Sequence, residues 1–290
     1  MFMIYKTRDG NEIRGNDGQD RFLAALYGTL AGRTAVRILI QPVVSKIGGA
    51  FLDSSLSRFL VSPFVKRNRI DLSLYENTSY DSYNAFFTRK IRDGLRPFDP
   101  APSHLVSPCD AKLTVCPISE NGILSVKQTA YTAESLLRNK KLASRYYGGQ
   151  ALIFRLTVDD YHHYFYPDDG RKSKDRIIPG VLHTVNPVAG CVYPIYKENS
   201  RQYCLLKTSG FGTILMMEVG ALMVGKIRNH HAEARKVTRG MEKGFFEFGG
   251  STVILFLMPG AAVLDEDLLA NSLDGMETIV RAGERIGSCK

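Results

Sequence analysis

Phe245-Phe-Glu-Phe-Gly-Gly-Ser-Thr-Val-Ile-Leu-Phe-Leu257 decides how the rest of this chain is read. Phe246 and Phe248 alternate about Glu247, and Val253 to Leu257 is an unbroken apolar run rich in strand formers. Both halves therefore predict β-strands, the second one buried. A glycine pair between two strands is the ordinary mark of a hairpin turn. The same residues permit a chemical reading. Without a Cβ, Gly249 and Gly250 leave the Gly250 carbonyl open to close approach, with the Ser251 hydroxyl one residue away. Attack of that hydroxyl would turn the amide into an ester, and elimination would then break the chain between Gly250 and Ser251. Elimination leaves a dehydroalanine, and its hydrolysis, with water supplying the oxygen and ammonia leaving, would give a pyruvoyl group, an electrophilic ketone, at residue 251.

Outward from this stretch, short β-type runs dominate the chain from Leu105 onward. They are Ala111–Val115, Ile123–Val126, Ala151–Thr157, Cys191–Ile195, Tyr203–Lys207, Thr213–Val219, Met223–Ile227 and Thr252–Leu257. One helix is expected near Thr132–Arg138, with Thr132 as its cap and Glu134 in the first turn. Arg21 to about Phe64 has helical apolar spacing, cut into several helices by Gly28, Gly32, Pro42 and Gly48-Gly49. A capped short helix leading into a basic loop is expected between Leu72 and Arg96. Met1 to Asp20 reads as a short strand pair or a loose arm. The fold class expected is α+β: a mainly antiparallel β body with a helical N-terminal region.

The 290 residues carry a net charge of +9, and 44 % are hydrophobic, enough for a proper core. A basic surface favours anionic partners. No zinc-finger, RNP or basic-helix pattern appears, so nucleic acid stands behind anionic lipid. Arg33, Arg37 and Lys46 interrupt every apolar window long enough to span a bilayer. Apolar helix faces beside Lys66, Arg67 and Arg69 suit either a helix lying in the headgroup layer or an ordinary packed helix. Five scattered cysteines (Cys109, Cys116, Cys191, Cys204, Cys289) without a Cys-x-x-Cys pair read as reduced thiols, and no signal peptide is seen.

Self-cleavage needs a base for the Ser251 proton, and histidine is the natural choice near neutral pH. Of six histidines, His104, His230 and His231 read as loop residues. His162, in Asp159-Asp-Tyr-His-His-Tyr-Phe165, is the leading candidate, and His183 is the second. His163 would point away from His162 if that stretch is extended.

Phe248-Gly-Gly-Ser-Thr252 resembles the processing site of phosphatidylserine decarboxylases. Tyr83-Asn-Ala-Phe-Phe-Thr-Arg89 with Arg96-Pro-Phe98, Ser107-Pro-Cys-Asp110, Asp160-Tyr-His162, Thr184-Val-Asn-Pro187, Glu198-Asn-Ser-Arg201 and Val219-Gly-Ala-Leu-Met-Val-Gly225 match that family in the same order, from roughly Tyr75 to the end. The Gly-Gly-Ser-Thr form is similar to the shorter bacterial branch. The resemblance implies a pyruvoyl cofactor made from Ser251, with the Gly250–Ser251 bond as the cleavage site. It implies that phosphatidylserine, joined to the cofactor as a Schiff base, loses CO2 to give phosphatidylethanolamine. It also implies an Asp110-His162-Ser251 relay. One departure stands out: the family often places its base three residues after the first histidine, and here that residue is Phe165. Either His162 serves both purposes or another histidine, such as His183, takes over.

By the same resemblance, residues 1–74 would form an N-terminal arm and membrane-associating helices. Residues 75–290 would form the catalytic domain, self-cleaved into 1–250 and 251–290. The protein would sit peripherally on the anionic cytoplasmic face of the cell membrane, as a homodimer. Two rivals stay open: a soluble pyruvoyl-dependent decarboxylase of a free amino acid, and an uncleaved, non-catalytic lipid-binding homologue. A serine hydrolase is disfavoured because Gly250-Ser251-Thr252 lacks the Gly-x-Ser-x-Gly elbow.

Overall fold

A computed structural model describes residues 4–15, 25–39, 42–126, 129–181, 195–220, 226–247 and 251–289. His183, the 184–187 motif, Cys191, the glycine-bearing 221–225 segment, and Phe248, Gly249 and Gly250 lie outside the described residues.

Eight strands position the site: β1 (Ala111–Pro117), β2 (Gln150–Leu156), β3 (His163–Phe165), β4 (Arg201–Thr208), β5 (Thr213–Val219), β6 (Ile227–Asn229), β7 (Glu242–Phe246) and β8 (Ser251–Leu257). Among the described residues the principal sheet has eleven strands, with β4-β5-β8-β2-β1 consecutive at its centre. Its pairings are antiparallel except where Ile4–Lys6 runs parallel to Glu277–Val280. The sheet is thus mixed but mainly antiparallel, within an α+β fold. β8 is buried along its whole length. Its alternate side chains divide between two cores: Val253, Leu255 and Leu257 on one face, Ile254 and Phe256 on the other. An unbroken apolar run is what a strand covered on both faces requires.

A separate three-stranded sheet, β6-β7-β3, sends Tyr164 and Phe246 into the core that contains Val253. β7 pairs with β6 and β3, whereas β8 pairs with β5 and β2. The hairpin reading of Gly249-Gly250 is therefore overturned. The strands on either side belong to different sheets and do not pair with each other; Gly249 and Gly250 themselves lie outside the described residues.

Other expectations fare unevenly. Ala133–Leu137 is the helix foreseen near Thr132, and the Thr132 hydroxyl accepts the Ser135 N–H at 3.0 Å. The strand pair Ile4–Lys6/Glu12–Arg14 forms near the N-terminus. Of the expected strand Cys191–Ile195, only Ile195 is described, and it opens a helical turn, Ile195–Glu198.

The N-terminal region carries helices α1 (Leu30–Leu39), α2 (Pro42–Asp53) and α3 (Val61–Asn68). Pro42 opens α2, the helix position it tolerates best. Gly48 and Gly49 were expected to break the helix but lie inside α2. Tertiary packing outweighs their helix penalty of about 1 kcal/mol each: Leu52, one turn on, joins a core with Tyr83, Phe86 and Phe87 of helix α4 (Tyr83–Phe87). The Ser57 hydroxyl also accepts the Tyr83 N–H at 2.8 Å. The helices before residue 74 and the first motif after it thus share one core.

Candidate active site

Ser251 opens β8, opposite Leu156 of β2, and is fully buried. It shares a sheet face with Val253, because alternate residues of a strand point the same way. Its Oγ has no hydrogen-bond partner. A buried hydroxyl without a partner costs about 1–3 kcal/mol, so such an atom asks for a reason. The residue just before the undescribed 248–250 segment, Glu247, is anchored: its carboxylate takes Arg228 at 2.5 Å and Lys226 at 3.4 Å.

His162 is fully buried, its ring 4.0 Å from that of Phe87. Its carbonyl accepts the Phe246 N–H at 3.0 Å, which ties it to the small sheet. Nδ1 lies 2.9 Å from the Asp160 carbonyl. A carbonyl can only accept, so Nδ1 carries the proton and Nε2 holds a lone pair. That Nε2 is buried without a partner. Burial, then the nearby Arg89 guanidinium, pushes the imidazole down to about 3, so the ring is neutral at physiological pH. The turn presenting it is held by Lys112, whose ammonium is 2.7 Å from Asp160, and by the Thr157 N–H donating to Asp160 at 2.6 Å. Arg89 itself is buried over the rings of Tyr75 and Phe86, each 4.6 Å away. No hydrogen bond joins His162 to Ser251 in this form; each keeps its reactive atom open.

Asp110 is placed differently. Arg96 grips its carboxylate with Nη2 at 2.8 Å and Nε at 3.2 Å, and the Ala282 N–H donates at 2.8 Å. Its hydrogen bonds go to these groups, and His162 is oriented by the Asp160 carbonyl instead. The structure therefore gathers the Asp110 motif with Arg96, and the His162 motif with Phe87 and Arg89. It does not link the two into the relay implied by resemblance.

Phe165 pairs across the small sheet with Glu242 and packs on Phe98 at 5.2 Å. His163 is buried, stacked on Tyr161 at 4.6 Å, with Nδ1 3.0 Å from Glu242. The same carboxylate meets His230 at 2.6 Å. Burial raises the Glu242 carboxyl, but the hydrogen bonds and charge of His163 and His230 outweigh it, and the net shift is downward.

Sequence reasoning missed one pair. Glu218 on β5 and Lys243 on β7 are fully buried, with Nζ 2.6 Å from Glu218 Oε2. The signal was an acidic residue inside the apolar run Met216-Met217-Glu218-Val219, which demands a buried cation.

The chain is similar along its length to proteins of one family. The family model described as phosphatidylserine decarboxylase matches residues 83–288. The chain is 44 % identical over 292 residues to phosphatidylserine decarboxylase proenzyme 2 of Clostridium acetobutylicum, covering 99 % of each. It is 37 % identical to a phosphatidylserine decarboxylase proenzyme of Ruminiclostridium cellulolyticum, covering all of this chain and 98 % of the relative. A proenzyme of the same name from Clostridium botulinum strain 657 is 36 % identical, with both chains fully covered.

Proposed function

This chain belongs to the phosphatidylserine decarboxylase family, and from that premise we propose how its residues carry the reaction. The protein is a proenzyme that becomes a carboxy-lyase, converting phosphatidylserine to phosphatidylethanolamine and CO2. Ser251 is the residue that becomes the pyruvoyl group. The observation that carries this reading is the buried, unpartnered Ser251 Oγ at the point where the chain passes from one sheet to another. A residue destined to be a new chain end fits the first position of a strand whose sheet differs from that of the strand before it.

Once formed, the pyruvoyl group supplies the electron sink that decarboxylation of an amino acid headgroup requires. The chain's own residues do the rest. His162 presents a neutral Nε2 that can take up and return a proton, with its tautomer fixed by the Asp160 carbonyl. Phe87 and the other buried aromatics around it exclude water. Lys226 and Arg228 hold Glu247, and with it the strand before the cleavage site.

The N-terminal region, residues 1–74, is the membrane-contacting part, and residues 75–290 form the catalytic part. Leu30, Ile47, Leu56 and Phe59 are 68 % or more exposed. They lie on α1, α2 and the turn Ser55–Leu60, with Lys66 and Arg67 close by on α3. Apolar side chains beside cations suit an anionic bilayer surface, with peripheral attachment at the cytoplasmic face. Among the described residues no helix is long and apolar enough to cross a membrane.

The test is the covalent state of freshly made protein. Cleavage before Ser251 leaves chains of 250 and 40 residues, with CO2 released from phosphatidylserine vesicles. A folded chain that stays in one piece and releases no CO2 would overturn the reading.

A further inference from the structure

Self-cleavage at Ser251 requires an acceptor for its hydroxyl proton, and the principal sheet itself brings one close. In the ladder between β5 and β8, Glu218 stands directly opposite Val253. Ser251, two residues before Val253, points to the same face. Glu218 is therefore its diagonal neighbour across adjacent strands, a separation that long side chains bridge. Glu218 and Ser251 are both wholly buried. Glu218 Oε1 has no hydrogen-bond partner, and neither has Ser251 Oγ. Oε2, by contrast, is occupied: Lys243 Nζ lies 2.6 Å away, and Asn229 Nδ2 donates at 3.4 Å.

Lys243 sits where the β7 ladder shifts register between Glu242 and Gly244. It reaches across from the small sheet to Glu218 on the principal sheet. An ion pair sealed from solvent costs more in desolvation than an apolar pair of equal volume. Its position beside an open hydroxyl supplies a reason for keeping it.

We propose that Glu218 is the proton acceptor for the Ser251 hydroxyl in self-cleavage, with Lys243 as the positioning residue that holds its carboxylate. The inference rests on Ser251 being the nucleophile. As the bond from Oγ to the Gly250 carbonyl carbon forms, the hydroxyl proton passes to Glu218 Oε1. When the C–N bond between residues 250 and 251 breaks, the same proton goes to the Ser251 nitrogen. The products of this step are an ester and a free amine, and the carboxylate is restored. Burial raises the Glu218 carboxyl while Lys243 pulls it back, so it accepts a proton more readily than an exposed glutamate. His162, pushed to about 3, is the weaker acceptor and is left for turnover.

The experiment follows splitting of full-length chain, freshly translated in vitro, on denaturing gels. Glu218→Gln is expected to slow splitting by about 100-fold or more, the range lost with a general base. Splitting at the wild-type rate would overturn the proposal. The double variant Glu218→Leu/Lys243→Met replaces the pair by an apolar contact and guards against misfolding of the single one. Folded but unsplit double variant supports Glu218; folded and normally split double variant reduces the pair to a structural role and sinks the idea. Lys243→Met alone leaves a lone carboxyl facing Asn229, Asp175 and Tyr164. Without the ammonium this carboxyl stays protonated to higher pH, so the pH profile of splitting should move upward. An unmoved profile would remove Lys243 from the mechanism. Ser251→Ala separates the two readings: splitting in that variant refutes the nucleophile, whereas an intact Ser251→Ala beside a normally split Glu218→Gln refutes only Glu218.

Discussion

Two polar groupings in this molecule are built on opposite principles. Around Asp110, both carboxylate oxygens are occupied, by the Arg96 guanidinium and the Ala282 N–H. By contrast, three buried groups of the proposed chemistry each keep one atom open: Ser251 Oγ, His162 Nε2 and Glu218 Oε1. A filled carboxylate lowers the energy of the fold, while each open buried atom raises it by about 1–3 kcal/mol. The contrast separates a carboxylate that holds the structure from the buried atoms to which the proposal assigns chemistry. It also shows why identity of motif does not settle role: Asp110 and His162 both lie in segments resembling family motifs, yet only His162 has an atom to spare.

The sharpest way to break this contrast is Ser251→Ala. The chain should remain a single full-length species with no decarboxylase activity, read by intact mass and CO2 release. His162→Ala comes next. Turnover should fall by about 100-fold or more, the usual weight of a proton-transfer group, while the chain still splits. An unsplit but folded His162→Ala would return the processing role to that histidine. Asp110→Asn should do the reverse. It weakens a charge-assisted contact with Arg96, lowering stability by about 1–3 kcal/mol, read as an earlier denaturant midpoint with splitting retained. If a folded Asp110→Asn fails to split, the two groupings are one site after all.

A pH titration sharpens the comparison further. The folded His162 titrates at about 3 against an ordinary value of 6.5. Its neutral state contributes fully above pH 6.5, and stability is lost as pH falls from there toward 3, because the unfolded chain takes up the proton first. The loss at pH 5 relative to neutrality is about 2 kcal/mol from this group. Denaturant melts of His162→Gln should show a flatter acid limb. The smallest effect is expected far from the site. Leu56→Ser with Phe59→Ser should leave melting and splitting unchanged and reduce sedimentation with anionic vesicles; unchanged sedimentation would remove these residues from the membrane contact.

Legibility followed the range of the interactions. β8 could be read from Val253–Leu257, because an apolar run of that length has few alternatives to a doubly covered strand. The Thr132 cap could be read because it acts over three residues. Gly48 and Gly49 misled, since the packing of Leu52 on α4 is not a local property. The hairpin misled for the same reason: whether two neighbouring strands pair depends on which other strands compete for their edges. Glu218 and Lys243 stand 25 residues apart in the chain. Glu218 could be seen as a charge in an apolar run, but only the facing of two sheets shows that it meets Lys243.

By itself the amino-acid order determined the kind of chemistry, because a Gly-Gly-Ser-Thr junction among family-like motifs points to the family, and with it to the bond and nucleophile proposed above. It determined the strand-rich body as well, through local periodicity. Tertiary structure alone decided which buried acids and bases keep an atom open. Hydrogen-bond saturation is a property of three-dimensional neighbours, and it is what sets Asp110 apart from His162 and Glu218.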